Sequence, residues 1–254
     1  MTEKSYRILI TGGSDGIGLA LARKLLSNGH QVLITGRDVG RLHSAVASNP
    51  GLKALRSDVT KKTDRHELGN FIQSQFEKID ILINNAGIGH GYYFLSDEGA
   101  DRFQQEIQTN LVAPVLLIHE LRHLLERPGV IMNITSGYAL FPGPCLPGYS
   151  ASKSGLSAFT SVLQVQSTLQ KENLHVFEVC PPMVETNMTQ SVDCFKISAE
   201  RVANEIVHAI ERKPRRLLIG LCRLLELSAR ISPGFTRWFI RGWPISVHSL
   251  APYR

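Results

Sequence analysis

The feature that most constrains the fold of this chain is a short apolar run that ends in a glycine-rich loop. The apolar run spans residues 6–10, the loop over residues 11–18 reads TGGSDGIG, and apolar residues then recur at helical spacing over residues 16–28. A strand, a glycine loop and a helix in this order predict a βα unit of a parallel sheet, because glycines allow the tight turn and the close packing of helix on strand. The free N–H groups at the start of such a helix suit a bound phosphate; a glycine-rich turn without a ligand is the alternative.

Alternation of strands and helices continues along the chain. Further strands are predicted over residues 31–35, 53–56, 79–83, 130–135, 175–179 and 216–219, and helices over residues 39–48, 62–76, 148–171 and 199–212, with two more between residues 98 and 127. This pattern predicts an α/β fold of the Rossmann type, a doubly wound parallel sheet of about seven strands with helices on both faces. We expect a single domain over residues 1–254, in which residues 221–254 form a C-terminal extension. Ligands of such sheets bind beyond the carboxyl ends of the strands.

The end of the second predicted strand indicates which dinucleotide is bound. An acidic side chain at this place holds the ribose 2′-hydroxyl of NAD, but here Gly36 stands there and Arg37 follows. A guanidinium binds a 2′-phosphate through bidentate, charge-assisted hydrogen bonds. The sequence therefore favours NADP(H) over NAD; the alternative is that Arg37 is an ordinary solvated arginine.

Three polar residues later in the chain have the chemistry of an acid/base site. Ser136 follows the fifth predicted strand, and Tyr149 and Lys153 lie four residues apart near the start of a long predicted helix, so they share one face. A nearby ammonium favours the phenolate and lowers the tyrosine pKa from about 10, which suits proton transfer near neutral pH. Ser136 can donate a hydrogen bond to a developing alkoxide. Each residue taken singly is more often structural than catalytic.

Together these motifs resemble those of the short-chain dehydrogenase/reductase family, over about residues 6–186. The matching segments are the glycine loop, Asp58-Val59 as an adenine contact, Asn84-Asn85-Ala86-Gly87 after the fourth strand, Asn110, and Ser136 with Tyr149 and Lys153. The resemblance implies a nicotinamide cofactor and hydride transfer between it and a carbonyl or alcohol. It also implies that Tyr149 protonates the carbonyl during reduction, that Lys153 binds the nicotinamide ribose and tunes Tyr149, and that Ser136 positions the carbonyl oxygen.

The resemblance further implies which residues contact the cofactor. They are Thr11, Gly12, Ser14, Asp15, Gly16, Ile17, Gly18, Arg37, Asp58, Val59, Asn85, Ala86, Gly87, Tyr149, Lys153, Pro181, Val184 and Thr186. Asn110 is implied to anchor a water that relays protons to Lys153. Pro114 lies four residues after Asn110 and has no N–H, so a helical Asn110 carbonyl is left free to hold that water. A helix kink without a relay is the alternative.

Two positions depart from the family pattern. Pro182 follows Pro181 where the family often has glycine, and it fixes φ at about −65° and removes a donor beside the expected nicotinamide site. Asp15 stands where relatives that prefer NADP often carry a basic residue, and an acid does not help to bind phosphate. NADP(H) is still the favoured cofactor, and NAD is the alternative.

The segments that are expected to meet the substrate are apolar. They are residues 88–94, residues 138–146, and a predicted lid that contains Met183, Met188, Val192 and Phe195. Such a lining favours a hydrophobic carbonyl compound, while ordinary loop packing is the alternative. His90 is expected to be a surface or capping residue, because Tyr149 already supplies the proton chemistry.

The C-terminal residues mix arginines with leucines and aromatic side chains. Residues 221–231 and 235–243 predict a basic amphipathic segment in a chain of net charge +6. Such a segment is typical of peripheral contact with a membrane surface, and the favoured alternative is a helix over the substrate site or a subunit interface. Family resemblance implies a homodimer or homotetramer through helices from about Gln104 and Gly148. Nucleic-acid binding is not expected, because no aromatic-basic platform is present.

The cysteines and the first residues of the chain bear on compartment. Four scattered cysteines without CxxC spacing argue against a zinc site or a disulfide framework and favour a reducing cytosol. The first residues lack a secretory signal pattern, so a cytoplasmic protein without a metal is expected.

Two functions from different classes follow. The first is an NADPH-dependent reductase of a lipophilic ketone or aldehyde. The second is a nucleotide-binding sensor or interaction protein without turnover, which Pro182 would favour. A sensor is expected to lack at least one of Asn110, Ser136, Tyr149 and Lys153, and all four are present.

Overall fold

Seven parallel strands build the central sheet of the protein. The structure is a computed structural model that describes residues 5–231. Along the chain its strands and helices are β1 (Arg7–Thr11), α1 (Gly16–Ser27), β2 (Gln31–Gly36), α2 (Val39–Ala47), β3 (Lys53–Arg56), α3 (Lys62–Phe76), β4 (Ile79–Asn84), α4 (Gly99–Ile107), α5 (Ala113–Leu121), β5 (Leu125–Ile134), α6 (Pro147–Leu169), β6 (Leu174–Cys180), β7 (Val184–Glu185), β8 (Ile197–Ser198), α7 (Ala199–Arg212), β9 (Arg216–Leu218) and α8 (Leu221–Ile231).

The strand order of the main sheet is β3-β2-β1-β4-β5-β6-β9, and all of its pairs are parallel. The chain first winds outward from β1 to β3 and then resumes on the other side of β1 with β4. The carboxyl ends of β1 and β4 therefore flank the crevice where doubly wound sheets bind ligands. The predicted Rossmann-type fold is confirmed.

Both faces of the sheet are buried, which explains why its strands are apolar throughout. Successive side chains of a strand point to opposite faces, and in β1 this separates Ile8 and Ile10 from Leu9. Ile8 and Ile10 pack in a core with α1 and α7, whereas Leu9 packs in a second core with α3 and α5. The two cores fix the sheet between two helical layers. Among the described residues, no helix is both long and apolar enough to cross a membrane.

The segment between α4 and β5 differs from the sequence-based expectation. Helix α4 runs into a π-helical turn over Gln108–Val112, in which the Ala113 N–H bonds to the Gln108 carbonyl five residues back. Pro114 has no N–H, and this wider turn replaces the expected regular helix. Strand β5 also begins at Leu125, where the sequence pattern predicts helix, because Leu125 pairs with Ile79 of β4. The short β7–β8 pair was not predicted, and the other predicted boundaries agree within two residues.

Candidate active site

A cavity of about 670 Å³ opens at the carboxyl end of the sheet, above the crevice between β1 and β4. Residues after β2, among them Arg37, line one end of the cavity, and Ser136, Tyr149 and Lys153 line the other. The volume lies within the usual range of small-molecule and cofactor sites. The structure thus brings most of the predicted cofactor residues and the predicted acid/base residues to one place.

The glycine loop after β1 is fastened to the end of β4. Asn85 Nδ2 donates to the carbonyl oxygens of Thr11 (3.0 Å) and Gly12 (2.9 Å), and Thr11 Oγ1 accepts from the backbone N–H groups of Asn85 and Ala86. A Cβ at Gly18 would lie 2.3 Å from the Gly12 carbonyl oxygen. Thr11 and Gly18 are absent from the cavity lining. They therefore build the loop rather than face the cavity.

Gly18→Ala is expected to lower the free energy of unfolding by about 2 kcal/mol. The added methyl group would overlap the Gly12 carbonyl oxygen, which is held in place by its hydrogen bond from Asn85. Urea denaturation followed by circular dichroism measures the change. Gly69→Ala in α3 is the matched control, since its nearest side-chain atom would be 3.6 Å away and alanine favours the helix by about 1 kcal/mol. Equal stability of Gly18→Ala and the wild-type protein would show that the contact is not restrictive.

Asp15 caps helix α1 and is balanced by a cation that the sequence analysis missed. Its Oδ1 accepts from the Gly16 N–H at 2.7 Å, and its Oδ2 accepts from Arg41 Nη1 at 3.1 Å and from Asn187 Nδ2 at 2.7 Å. Arg41 lies four residues after Arg37, in the first turn of α2, and lines the same end of the cavity. The acid that counted against phosphate binding is thus paired with a second arginine.

Tyr149, Lys153 and Ser136 converge as the sequence predicts. Lys153 Nζ lies 5.8 Å from the centre of the Tyr149 ring and donates to the Ile134 carbonyl at 2.8 Å. Ser136 hydrogen-bonds the Tyr149 hydroxyl, and its Oγ also accepts from the Tyr138 N–H at 3.2 Å. Both Ser136 and Lys153 are buried. The three side chains form one compact polar group in an otherwise apolar part of the cavity.

Burial governs the proton affinities of this group. It raises the pKa of Tyr149, against the hydrogen bond from Ser136 that lowers it, and the negative charge of Glu106 raises it further. Burial also lowers the pKa of Lys153 to about 8. The pKa of Tyr149 is therefore raised in this structure and not lowered as the sequence predicts, because burial disfavours the phenolate. The phenol is held in the form that can donate a proton.

Asn110 lies behind the cavity rather than in its lining. Its Oδ1 accepts from the Ile88 N–H at 2.8 Å, and its Nδ2 donates to the Ile88 carbonyl at 2.8 Å and to Ser152 Oγ at 3.1 Å. Thr109, its neighbour in the π turn, does line the cavity. Asn110 thus ties the chain after β4 to α6, and the water relay implied by family resemblance stays a prediction.

The remaining predicted cofactor residues surround the cavity. Those in its lining are Gly12, Ser14, Asp15, Gly16, Ile17, Arg37, Asp58, Val59, Asn85, Ala86, Gly87, Tyr149, Lys153, Pro181, Val184 and Thr186. Pro182 lines it as well, and the Pro181 carbonyl accepts from the Gly137 N–H at 3.0 Å. The double proline therefore leaves the loop after β6 joined to the segment after Ser136. Lining residues that the sequence analysis missed include Thr35, Gly36, Asp38, Arg41, Ser57 and Thr189.

A second, apolar cavity of about 90 Å³ adjoins the first beside Ser136. Both cavities share Ser136, Tyr138, Leu146, Pro182 and Met183 in their linings. Helix α8 adds the apolar side chains Leu221, Cys222 and Leu225 to the small cavity. Residues of the segment 138–146 and of α8 thus line the same small cavity, and their contact with a substrate stays a prediction.

Part of the predicted lid does not face either cavity. Met183 and Met188 line the large cavity, but Val192 is buried in the protein and Phe195 is 79% exposed. Tyr93 and Phe94 are also exposed, because the chain turns outward after Tyr92. Two of the four residues predicted to form a lid therefore line the large cavity and two do not.

Helix α8 is joined to the sheet by two ion pairs that share Arg216. Arg216 Nε lies 2.6 Å from the buried Glu178 Oε2, and Arg216 Nη1 lies 3.6 Å from Glu226 Oε1 of α8. The opposite side of α8 exposes Leu224, Leu227 and Ile231. The rest of the predicted amphipathic segment, residues 232–254, lies outside the described residues.

Known proteins are similar to this chain in sequence and in fold. A sequence profile of the family described as short chain dehydrogenase matches residues 6–196. The uncharacterized oxidoreductase DltE of Bacillus subtilis is 36% identical over 195 residues, which cover 75% of this chain and 76% of that protein. A fatty acyl-CoA reductase of Acinetobacter baylyi is 31% identical over 237 residues, which cover 89% of this chain and 79% of the relative.

Solved structures show the same architecture. A short-chain dehydrogenase of Burkholderia cenocepacia in complex with NADP superposes with a TM-score of 0.84 at 21% identity, covering 96% of this chain and 100% of that one. A short-chain dehydrogenase/reductase of Burkholderia phymatum in complex with NAD gives a TM-score of 0.81 at 21% identity, covering 90% and 95%. The fold is therefore found with either dinucleotide.

Proposed function

This chain belongs to the short-chain dehydrogenase family, and on that premise we propose that it is an NADPH-dependent reductase of lipophilic ketones or aldehydes. Membership makes it an oxidoreductase with a nicotinamide dinucleotide site. The proposal of NADPH and a lipophilic carbonyl compound rests on one observation. Ser136, Tyr149 and Lys153 lie together between an arginine-lined groove and an apolar cavity.

The residues of the large cavity fit a dinucleotide. The glycine loop leaves the start of α1 beside the cavity, where a helix N-terminus favours a pyrophosphate. Arg37 and Arg41 would hold a 2′-phosphate, and Tyr149 and Lys153 would hold the nicotinamide ribose. Bound NADPH supplies the hydride.

The polar group of the site supplies the proton chemistry. Ser136 donates a hydrogen bond to the carbonyl oxygen and so orients it toward Tyr149. Tyr149, which burial keeps protonated, gives its proton to that oxygen as negative charge develops there. Lys153 stays charged below a pH of about 8 and stabilises the phenolate that is left. The apolar surroundings exclude water, which strengthens each of these interactions.

The small cavity supports an apolar substrate. Its lining offers few polar groups beside Ser136, so a substituent of the carbonyl carbon is bound there mainly by apolar contact. The name of the Acinetobacter relative, a fatty acyl-CoA reductase, is consistent with a lipophilic carbonyl group as substrate. NADPH oxidation across carbonyl compounds of graded hydrophobicity tests the proposal: kcat/KM is expected to rise with apolar bulk, and uniform inactivity would favour the sensor.

Leu225→Trp is expected to lower kcat/KM for a bulky ketone by about tenfold, because the indole ring takes up the small cavity beside Ser136. The Kd for NADPH, measured by fluorescence, is expected to be unchanged. Leu224→Trp on the exposed side of α8 is the matched control and should resemble the wild-type protein. An equal loss in both variants would mean that α8 does not form the substrate pocket.

Other features of the function are predictions from the sequence alone. They are a homodimer or homotetramer, a cytoplasmic location and peripheral contact with a membrane surface through residues 221–243. The exposed leucines of α8 are in keeping with the last of these. A single domain over residues 1–254 is also proposed.

A further inference from the structure

Helix α6 carries both Tyr149 and Lys153, yet it begins without a side-chain cap of its own. Its N-cap residue is Leu146, whose apolar side chain accepts no hydrogen bond, and Pro147 follows as the first residue of the helix. The N–H groups of a first helical turn need partners when they are buried, and Gly148 is buried. A partner for the start of α6 must therefore come from another part of the chain.

That partner is the hydroxyl of Tyr92, in the segment after β4. Tyr92 Oη accepts from the Gly148 N–H at 3.3 Å and donates to Glu106 Oε2 of α4 at 3.0 Å. Burial raises the pKa of Tyr92, and the adjacent Glu106 raises it further. The hydroxyl thus keeps its proton and links the carboxylate to the helix start.

Glu106 is fully buried and is satisfied at both oxygens. Its Oε1 accepts from the His90 N–H at 2.8 Å, while its Oε2 accepts from Tyr92. Acceptance at both oxygens is the bonding pattern of an ionised carboxylate. His90 Nδ1 lies 3.6 Å from the same Oε1, and it has no hydrogen-bond partner within residues 5–231.

The position of the carboxylate depends on Gly148. A Cβ at this residue would lie 2.3 Å from Glu106 Oε2 and 2.7 Å from Tyr92 Oη. Glycine therefore makes room for a buried negative charge at the positive end of α6, where such a charge stabilises the helix. Tyr149 is the next residue of α6, and the negative charge of Glu106 adds to burial in raising the pKa of its phenol.

We infer that Glu106 is a positioning residue for the reductase proposed above: through Tyr92 it fixes the first turn of α6, and it places a buried negative charge at the start of the helix that carries Tyr149. The inference rests on the proposed function only for its role in turnover. Its structural basis is the chain of contacts from Glu106 through Tyr92 to Gly148.

Other titratable groups face the same region. Lys153 lies 5.8 Å from the centre of the Tyr149 ring, and the Tyr138 ring centre lies 6.2 Å from it. The titratable groups around Glu106 are His90 and Tyr92. The charge of Arg102 in α4 favours a lower pKa of Tyr92. Glu106 raises the pKa of the Tyr149 phenol, so removal of its charge is expected to lower that pKa.

Glu106→Gln tests the role of the charge. Ionisation of the Tyr149 phenol is followed by phenolate absorbance in a pH titration. For each protein, the absorbance of the same protein with the additional change Tyr149→Phe is subtracted. The midpoint is expected to fall by about one pH unit in Glu106→Gln, because a negative charge beside the phenol is removed.

Tyr92→Phe tests the link while it leaves the charge in place. Exchange of the Gly148 amide hydrogen is expected to become about tenfold faster, and kcat to fall by about tenfold because Tyr149 is held less firmly. The Tyr149 midpoint is not expected to fall. His90→Gln is the matched control, because it keeps the backbone N–H that bonds Glu106, and it should titrate as the wild-type protein does.

An unchanged Tyr149 midpoint in Glu106→Gln, or unchanged Gly148 exchange in Tyr92→Phe, would overturn the inference. If Glu106→Gln does not fold, Gly148 exchange and kcat in Tyr92→Phe decide alone. The titration and the exchange measurement need neither substrate nor cofactor. A failure of the carbonyl assay would therefore count against the proposed function and leave this inference to its own measurements.

Discussion

Tyr149→Phe is expected to reduce turnover in carbonyl reduction by about 1,000-fold, which is within the range for loss of a general acid. The variant removes one hydroxyl and keeps the ring, so the edge contact with Tyr138 and the fold should persist. The neighbouring Ser136 hydroxyl is too weakly acidic to take over the role. Stopped-flow measurement of NADPH oxidation gives the rate.

The control for this variant is Tyr93→Phe, which removes a hydroxyl from a tyrosine that is 62% exposed and outside the cavity lining. It should turn over at the wild-type rate, and both variants should bind NADPH. Retained turnover in Tyr149→Phe would mean that another group is the acid. Tight NADPH binding with no turnover in all three proteins, including the wild-type protein, would instead support the sensor function.

Replacement of Arg37 by serine, together with Arg41→Ser, is expected to weaken NADPH binding by about 100-fold. Within the described residues, no hydrogen bond or salt bridge engages Arg37, so its guanidinium is available to a 2′-phosphate. A hydrogen bond between charged groups contributes about 1.5–3 kcal/mol, and 1.4 kcal/mol is tenfold in affinity. NADH, which has no 2′-phosphate, should keep its affinity. Fluorescence titration with each dinucleotide measures the two constants.

Arg23→Ser serves as the control for loss of an arginine elsewhere on the surface, because Arg23 lies on an exposed part of α1 away from the cavity. It should bind both dinucleotides as the wild-type protein does. Equal losses for NADPH and NADH in the Arg37→Ser, Arg41→Ser protein would show that the arginines act on the shared part of the cofactor. The preference for NADP would then have to be abandoned.

Local patterns predicted those parts of the fold that short-range physics determines. The strand at β1 follows from its apolar residues, and the turn after it follows from the glycines up to Gly18. The side-by-side placement of Tyr149 and Lys153 follows from their helical spacing. In each case the residues that carry the pattern are also the residues that make the structure.

The parts that were missed depend on contacts between distant segments. Leu125 becomes part of β5 because Ile79 pairs with it, and nothing near Leu125 in the sequence indicates that. Arg41 joins the cofactor end of the cavity through Asp15, which lies 26 residues earlier. Glu106 has no motif of its own, and only folding brings it to Gly148. The pKa of Tyr149 likewise depends on burial, which spacing does not reveal.

The reach of the family profile and the position of α8 have a consequence for how this enzyme diverges. The profile ends at residue 196, and the side chains of α8 that border the small cavity lie beyond it. In the proposed reductase the acid/base residues lie within the stretch that the profile covers, as do most residues around the small cavity, whereas Leu221, Cys222 and Leu225 lie outside it. Substitutions at these three positions are expected to change which compounds are accepted while Tyr149 and Lys153 stay as they are, so relatives that share the earlier stretch are expected to differ in what they reduce.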